Sequence, residues 1–347
     1  MTSGDAPSTE AKAGHTVSSP QPLSRAHEVG CQKLIVTGSD LHCSSNALKL
    51  THAYPGAVYS TAGIHPCSSQ IFSVNHTGTE DGLNHSCDPD PAKPLSEDHE
   101  PCPTKTDEII SQLGEFLQKA RSDRSADHTG LIAFGEFGLD YDRLHYCSKK
   151  IQLHSFAAQL KLAASLRPQL PLFLHSRAAH QDFVSLLKAT FGEKLERLER
   201  GAVVHSFTGT PEEMTELADL GLYIGVNGCS LKTAANCEVV RAIPLDRIML
   251  ETDGPWCEVR PSHEGWKYLK ASPQHQGGST GPPSNTMVME RYKTVKKERW
   301  QRGSMVKGRN EPCTIEKVAN IVAAIKGVDV SVVSEAAWAN TVAVFGL

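Results

Sequence analysis

The fold is decided by four short apolar runs, which are GLIAFGE at 130–136, PLFLH at 171–175, GAVVH at 201–205 and RIMLETD at 247–253. Each run stops at a carboxylate or an imidazole, and the runs recur at the spacing of successive β/α units. Runs this short and apolar are typical of strands buried on both faces of a parallel sheet. In a (β/α)8 barrel the carboxyl ends of the strands converge on one mouth, so the terminal side chains are expected to surround one point.

The size and composition of the chain agree with one large α/β barrel. It has 347 residues, of which 39% are hydrophobic and 21% charged, and such a barrel needs about 250 residues. The net charge of -4 argues against a globally basic nucleic-acid binder, so any contact with a polyanion must be regional. We therefore predict a single barrel of the TIM (β/α)8 type with insertions.

Four segments deviate from the barrel pattern. Residues 1–25 are rich in Ser, Pro, Thr and Ala, a composition that cannot repay the entropy of ordering, and are predicted to be a disordered tail. The remaining chain, 26–347, is predicted to be one barrel, with surface insertions at about 67–106 and about 271–290. The segment 291–309 carries eight basic residues against one acid, with Trp300 among them, and could bind phosphates or simply be a solvated face.

Compartment and membrane association are predicted from what the sequence lacks. No apolar run approaches the roughly 20 residues of a membrane span, and the first residues lack the apolar core of a signal peptide. The ten cysteines include no CxxC pair or regular disulfide framework, which indicates a reducing compartment. We expect no membrane association and a cytoplasmic or nuclear location.

The residues at the strand ends predict a metal-dependent hydrolase. Glu136, His175, His205 and Asp253 offer the mixed oxygen and nitrogen ligands that suit Mg, Mn or Zn, without selecting among them. We expect the first three to hold the ion and Asp253 to orient and deprotonate a water molecule.

Alternative structural roles remain open for several of these groups. A histidine that ends a buried strand is often only a hydrogen-bonded core residue. His65, which precedes Pro66, fits a turn-fixing role as well as a catalytic one. Asp140 and Asp142 are interpreted as braces of a loop, and the cysteines at 229 and 257 as small packing residues.

Several longer motifs resemble the TatD family of metal-dependent deoxyribonucleases. They are GEFGLDYDR at 135–143, FLHSR at 173–177, VVHSFTGT at 203–210, YIGVNGCSLKT at 223–233, ETDGPWC at 251–257 and RNEPC at 309–313. The resemblance extends from about Ala26 to the C-terminus and is closest to the eukaryotic branch. It implies a TIM barrel of the metallo-dependent hydrolase superfamily, a divalent-metal centre of one or two ions, and an exonuclease that trims DNA from 3′ ends.

Matched position by position, the resemblance implies roles for individual residues. Glu136 resembles the carboxylate that bridges or anchors the metal site, His175 and His205 the imidazole ligands, and Asp253 the aspartate that binds metal and handles the proton of the attacking water. His65 resembles a family histidine near the scissile phosphate and is expected to be catalytic. Arg177 lies in a matching motif and is expected to bind substrate. Trp300 lies outside the matching motifs, and its place in the basic segment 291–309 is the reason to expect that it stacks on an unpaired base.

The chain departs from the family pattern at its start. Family members begin with a strand that ends in His-x-His or, in the nearest branch, an Asn-x-Thr-Asp type of segment. No His-x-His occurs here, and residues 1–25 contain no apolar run. The expectation is a barrel whose first strand is missing or replaced through an alternative start, with two unpaired sheet edges.

Three functional interpretations follow from these observations. The first is a metal-dependent deoxyribonuclease acting on DNA. The second keeps the barrel and the metal but hydrolyses a small amide or ester, because one fold supports many reactions. The third is an inactive truncated isoform that lacks the first strand.

Overall fold

The computed structural model describes residues 20–76, 94–122, 130–271 and 291–347. Its main feature is a sheet of seven parallel strands that are hydrogen-bonded to one another in chain order. The strands are β1 (Leu34–Val36), β2 (Val58–Ala62), β3 (Leu131–Asp140), β4 (Leu172–Arg177), β5 (Ala202–His205), β6 (Tyr223–Val226) and β7 (Ile248–Leu250). This curled parallel sheet confirms the predicted α/β barrel type, with the first strand missing from the described part of the chain.

Helices alternate with the strands and cover the sheet. They are α1 (Pro20–Glu28), α2 (Leu41–Ala53), α3 (Pro103–Ser122), α4 (Lys149–Ser165), α5 (His180–Phe191), α6 (Pro211–Asp219), α7 (Ala234–Ala242), α8 (Trp266–Ala271), α9 (Ile315–Lys326) and α10 (Val330–Phe345). Two short strands, β8 (Thr294–Val295) and β9 (Met305–Val306), form a separate parallel pair. Within the described ranges, none of these helices combines the length and the hydrophobicity that crossing a bilayer requires.

The main core lies between the sheet and its helices. Every residue of β3 is buried, as expected for a strand that is covered on both faces. Phe137 of β3 packs against Phe156 of α4, which stacks on Phe183 of α5 with 5.3 Å between ring centroids. The apolar face of α4 therefore covers the sheet.

The last helix covers one open edge of the sheet. The carbonyl oxygen of Arg247 and the amide of Glu251 form hydrogen bonds to β6. Because successive carbonyls of a strand point to opposite sides, the carbonyl of Ile248 points away from β6. The side-chain amide of Asn340 in α10 donates to this carbonyl at 2.8 Å and to that of Leu245 at 2.9 Å. Part of the predicted unpaired edge is thus satisfied by a side chain in place of a strand.

The predicted boundary at residue 25 is wrong, because it falls inside α1. Helix α1 begins at Pro20, and Leu23 packs with Val58 of β2. Arg25 is buried and forms an ion pair of 2.7 Å with Glu311. These tertiary contacts order a stretch whose composition alone predicts a tail; residues 1–19 lie outside the described ranges.

The start of the predicted insertion at 67–106 is also corrected. Residues Pro66–Phe72 form a 3₁₀ helix, and Cys67 and Phe72 are buried in the core. Helix α3 begins at Pro103, so both ends of the predicted insertion belong to the folded body. Residues 77–93 of this insertion, and 272–290 of the second one, lie outside the described ranges.

Candidate metal centre

One carboxylate oxygen, Oε1 of Glu136, lies at the centre of a buried cluster at the strand ends. His205 Nε2 is 2.6 Å from it, His175 Nδ1 is 2.9 Å from it, and the two imidazole nitrogens are 3.1 Å apart. His65 Nε2 approaches the same oxygen at 3.3 Å. Three of the four predicted ligands therefore meet, and the histidine that is expected to be catalytic joins them.

The parallel register explains why these side chains meet. His175 of β4 and His205 of β5 are direct partners across the two strands, and Gly138 of β3 is the partner of His175. A Cβ at Gly138 would lie 1.9 Å from the carbonyl oxygen of His175. Only glycine permits this approach of β3 to β4, which brings Glu136 against the histidines.

Each of the two strand-end imidazoles contacts a second carboxylate through its other nitrogen. His175 Nε2 lies 2.9 Å from Asp140 Oδ2, and His205 Nδ1 lies 3.4 Å from Glu251 Oε2. An ionised carboxylate only accepts hydrogen bonds, so a neutral ring can donate to only one of its two carboxylates. With the protons on the outer nitrogens, the inner nitrogens would direct their lone pairs into the site, as in the carboxylate–histidine–metal arrangement of many metalloenzymes.

This donor set fits a divalent cation. Two lone pairs and a carboxylate oxygen within 3.1 Å of one another repel unless a proton or a cation lies between them. Ligands bound at about 2.0–2.1 Å and at right angles stand about 3 Å apart. The spacing and chemistry of Glu136, His175 and His205 therefore match a metal site.

Without a metal, the cluster shifts the pKa values of its members strongly. Burial raises the pKa of Glu136, but the charges of His205 and His65 and the imidazole hydrogen bonds outweigh it and hold that pKa well below its usual range. Burial lowers the pKa of His205, but Glu136 and Glu251 outweigh it and raise that pKa well above its usual range. The negative charges of these buried carboxylates thus favour a positive charge bound within the cluster.

His65 contacts both the turn that follows it and the cluster. Its Nδ1 accepts the backbone N–H of Cys67 at 3.0 Å and fixes the start of the 3₁₀ helix. In the neutral ring the proton is then on Nε2, which faces Glu136. Burial lowers the pKa of His65 to about 4. Ligand atoms of His65, Glu136 and His175 lie within 4.8 Å of one another. In this tautomer, however, His65 turns an N–H group towards the site, so it acts there as a hydrogen-bond donor and not as a metal ligand.

Asp253 lies next to the cluster, after β7. Its φ of 52° is uncommon for a residue with a side chain and indicates a constrained turn. Oδ2 accepts a hydrogen bond from the Cys257 thiol at 3.1 Å. Burial, together with the charges of Glu136 and Glu251, outweighs His205 and raises the pKa of Asp253 to about 6. The negative charges around Asp253 thus favour a proton or a cation at this carboxylate.

Sequence reasoning does not find Asp140 and Glu251 as part of this site. Asp140 is completely buried and forms an ion pair with Arg143, whose Nε donates to Oδ2 at 2.7 Å. The signal that could have found it is strand periodicity, since residues 136 and 140 lie on the same face of β3. Glu251 precedes Asp253 by two residues, so the same periodicity would place both on one face of the predicted strand 247–253.

Replacing Asp140 by Asn is expected to weaken metal binding about 10- to 100-fold, because the partner that orients His175 loses its charge. Titration calorimetry with Mn measures the affinity. The exposed neighbour Asp142, changed to Asn, is the matched control and should leave the affinity unchanged. Equal affinities for the Asp140→Asn variant and the unchanged protein would exclude this orienting role.

The two residues that are expected to bind substrate differ in burial. Arg177 ends β4 and is buried, with Asp140, Arg143, Cys229 and Cys257 close enough to influence its pKa. It therefore lies at the mouth beside the cluster. Trp300 is 49% exposed on the segment 291–309.

That basic segment packs against α1. The amide of Gly303 donates to Gln21 Oε1 at 3.3 Å, and the guanidinium of Arg25 lies 5.7 Å from the centre of the Tyr292 ring. The ring of Trp300 is oriented by its indole N–H, which donates to the carbonyl of Ser304 at 3.0 Å.

Known proteins share this fold and these motifs. The family described as "TatD related DNase" matches residues 12–346. The chain is 42% identical to "Deoxyribonuclease Tat-D" of Schizosaccharomyces pombe over 320 residues, which cover 92% of this chain and 85% of that protein. It is 32% identical to "3'-5' ssDNA/RNA exonuclease TatD" of a Pantoea species, covering 70% and 75% of the two chains.

Solved structures agree with the sequence matches. A crystal structure titled as an uncharacterized amidohydrolase from Saccharomyces cerevisiae superposes with a TM-score of 0.74 at 30% identity, covering 94% of this chain and 91% of the other. A TatD family hydrolase from Entamoeba histolytica gives a TM-score of 0.71 at 25% identity, covering 97% and 92%. With its barrel-type sheet, its strand-end cluster and these matches, the chain belongs to the TatD-related deoxyribonuclease family.

Proposed function

We propose that this protein is a metal-dependent nuclease that hydrolyses DNA phosphodiester bonds, acting as a 3′–5′ exonuclease. The observation that carries the proposal is the convergence of Glu136, His175 and His205 within 3.1 Å, each imidazole being backed by a carboxylate. The names of the relatives, a deoxyribonuclease and a 3′–5′ exonuclease, support DNA as the substrate. We further propose a cytoplasmic or nuclear location.

The metal would address the two difficulties of phosphodiester hydrolysis, which are the negative charge of the ester and its poor leaving group. Held by Glu136, His175 and His205, with Asp253 as a fourth ligand, a Mg, Mn or Zn ion would polarise a phosphoryl oxygen and lower the pKa of water from 15.7 towards about 7. The oxygen-rich and imidazole-containing donor set suits all three ions.

The protein side chains are assigned the remaining steps. Asp253 accepts a proton from the attacking water. His65 directs its Nε2 proton into the site and stabilises a non-bridging phosphate oxygen by a hydrogen bond. Arg177, at the end of β4, holds the charge of the phosphate, because its guanidinium stays protonated at any working pH.

An assay on purified protein with end-labelled single-stranded DNA tests this function. Mononucleotides should appear from the 3′ end in the presence of Mg or Mn and should disappear on addition of EDTA. Activity restricted to small amides or esters would replace the proposal by the second interpretation. Absence of a bound ion together with the absence of a cooperative melting transition would replace it by the inactive isoform.

The basic segment 291–309 is proposed to hold the single strand. Trp300→Ala should weaken binding of single-stranded DNA about 5- to 150-fold, which corresponds to the roughly 1–3 kcal/mol of base stacking. Fluorescence anisotropy with labelled oligonucleotide measures this loss. Trp338→Ala, which removes a tryptophan of similar exposure (46%) in α10, is the control.

The same segment should make binding depend on salt. Changing Lys296 and Lys297 to Gln should reduce the slope of log affinity against log salt by about 0.7 for each phosphate that the protein no longer neutralises. A slope that is already flat in the unchanged protein would remove the segment from the DNA-binding surface.

A further inference from the structure

Two cysteines from neighbouring strand ends lie against each other beside the metal centre. Cys229 belongs to the 3₁₀ turn Gly228–Leu231 that follows β6, and Cys257 belongs to the loop that follows β7. Their sulfur atoms are 3.0 Å apart, and the two residues are thiols, not a disulfide. The sequence predicts only packing roles for these two cysteines, because a separation of 28 positions does not indicate that they touch.

The backbone holds this pair in place independently of the sulfurs. A Cβ at Gly228 would lie 2.0 Å from the carbonyl oxygen of Cys257, so glycine alone lets the two loops touch at this point. The amide of Cys229 donates to Asn227 Oδ1 at 2.8 Å. Cys257 has a φ of 55°, within the turn that the amide of Trp256 closes on Asp253 at 2.8 Å. Both Cα positions are thus constrained by contacts that do not involve the thiols.

The pair is connected to the site through one hydrogen bond. The thiol of Cys257 donates to Asp253 Oδ2 at 3.1 Å, and this is the carboxylate assigned to the attacking water. Cys229 is buried, whereas Cys257 is partly exposed and is the sulfur that a solute can reach. The surroundings are basic, because the positive charges of Lys232 and Arg177 both act on Cys229.

We propose that Cys229 and Cys257 form a vicinal dithiol that a hydroperoxide oxidises to a disulfide, and that this modification site controls the hydrogen bond to Asp253. Reversible oxidation of this kind is the usual role of a cysteine pair in a reducing compartment. The effect on cleavage rests on the proposed nuclease function, whereas formation of the disulfide does not.

Oxidation of the two thiols to a disulfide needs only the hydroperoxide as an added reactant. The sulfur of Cys257 attacks the terminal oxygen of the hydroperoxide, the O–O bond breaks, and the alcohol leaves with the thiol proton, giving a sulfenic acid. The sulfur of Cys229 then attacks the Cys257 sulfur, and the S–O bond breaks. The hydroxide takes the proton of Cys229 and leaves as water. The two thiols lose two electrons, and the O–O bond gains them.

Closing the disulfide changes the surroundings of Asp253. The sulfurs approach from 3.0 Å to about 2.05 Å, and the product has no S–H group, so Oδ2 of Asp253 loses the donor. Cleavage is expected to fall at least about tenfold, a factor that corresponds to about 1.4 kcal/mol, and to recover when the disulfide is reduced.

The test combines mass spectrometry with the nuclease assay on the full chain. Protein is first reduced, then treated with equimolar hydrogen peroxide, alkylated and digested without reductant. A cross-linked peptide pair containing Cys229 and Cys257 is expected, with a parallel loss of cleavage that dithiothreitol reverses. Phenylarsine oxide, which bridges two neighbouring thiols, should bind the reduced protein at one equivalent and protect the same pair from alkylation.

Two variants test whether the effect of peroxide requires this cysteine pair. Cys229→Ala should keep the cleavage rate of the reduced protein and form no cross-linked peptide pair after peroxide, because oxidation of Cys257 then stops at the sulfenic acid or goes beyond it. Cys102→Ser, at a partly exposed thiol elsewhere, should form the disulfide and lose cleavage as the unchanged protein does. The proposal is overturned if both thiols stay fully alkylatable after peroxide, or if the disulfide forms and cleavage does not change. If the reduced protein shows no cleavage at all, the nuclease proposal is rejected. Mass spectrometry of the digested protein would still show whether Cys229 and Cys257 form a disulfide.

Discussion

Changing Glu136 to Ala is expected to abolish metal-dependent cleavage, with a loss of at least about 10³-fold in rate. One oxygen of this residue contacts His175, His205 and His65, so the substitution removes the negative charge at the centre of the cluster. Stabilisation of transition-state charge by a metal amounts to several kcal/mol, and about 4 kcal/mol corresponds to this factor.

Three measurements separate this effect from misfolding. Cleavage of end-labelled DNA gives the rate, metal analysis gives the bound ion, and thermal melting reports the fold. The expected result for Glu136→Ala is loss of cleavage and of the ion with a cooperative melting transition retained. Glu216→Ala is the control, because Glu216 also contacts a histidine and a lysine, His180 and Lys188, but on the helical surface. EDTA-sensitive cleavage at a normal rate by Glu136→Ala would reject the metal assignment.

Changing Arg25 to Ala is expected to lower the free energy of unfolding by about 3–5 kcal/mol. The side chains of Arg25 and Glu311 are only 7% and 9% exposed, and Nε and Nη2 of the arginine bind the same carboxylate oxygen at 2.8 and 2.7 Å. Removing one partner leaves a buried charge without compensation, which is the costly change in such pairs.

Urea unfolding measures this loss, and a second variant identifies its cause. Arg25→Met combined with Glu311→Leu removes both charges at similar volume and should recover most of the stability. Lys188→Ala, which breaks an exposed pair with Glu216, should cost about 1 kcal/mol or less. If the double variant is as unstable as Arg25→Ala, the ion pair is not the cause.

This ion pair also connects the N-terminal helix to the site. Asn310, which precedes Glu311, donates its amide N–H to the carbonyl of Pro255 at 2.9 Å and its side-chain amide to that of Thr252 at 2.8 Å. These two residues flank the turn that contains Asp253. Destabilisation of α1 by Arg25→Ala should therefore reduce cleavage as well, at denaturant concentrations below the global transition.

Much of the site could be predicted from the sequence, because a parallel sheet places the carboxyl ends of its strands along one edge. The positions of Glu136, His175 and His205 in the sequence predict that they meet near this edge. Only His205 ends its strand, however, because β3 continues to Asp140 and β4 to Arg177. The strand pattern also places Asp253 at this edge. It does not predict that the side chain lies beside the cluster, because the direction of that side chain depends on a backbone turn with a positive φ.

The pairing of side chains could not be predicted, because it depends on directions and distances between segments far apart in the chain. The sequence predicts a loop brace at Asp140, yet the carboxylate of this residue lies 2.9 Å from His175. The contact between Cys229 and Cys257, and the donation from Asn340 to the free edge of β7, follow from how loops and the last helix pack.

The sequence by itself determined the barrel-type sheet and the residues that meet at its mouth, since hydrophobic periodicity and strand length encode which backbone segments are buried and in what order. Only the tertiary structure decided which nitrogen of each imidazole faces Glu136, where the ordered chain begins, and which thiols touch. These features are set by the close packing of side chains from distant segments, where displacements of about 1 Å determine whether two groups form a bond.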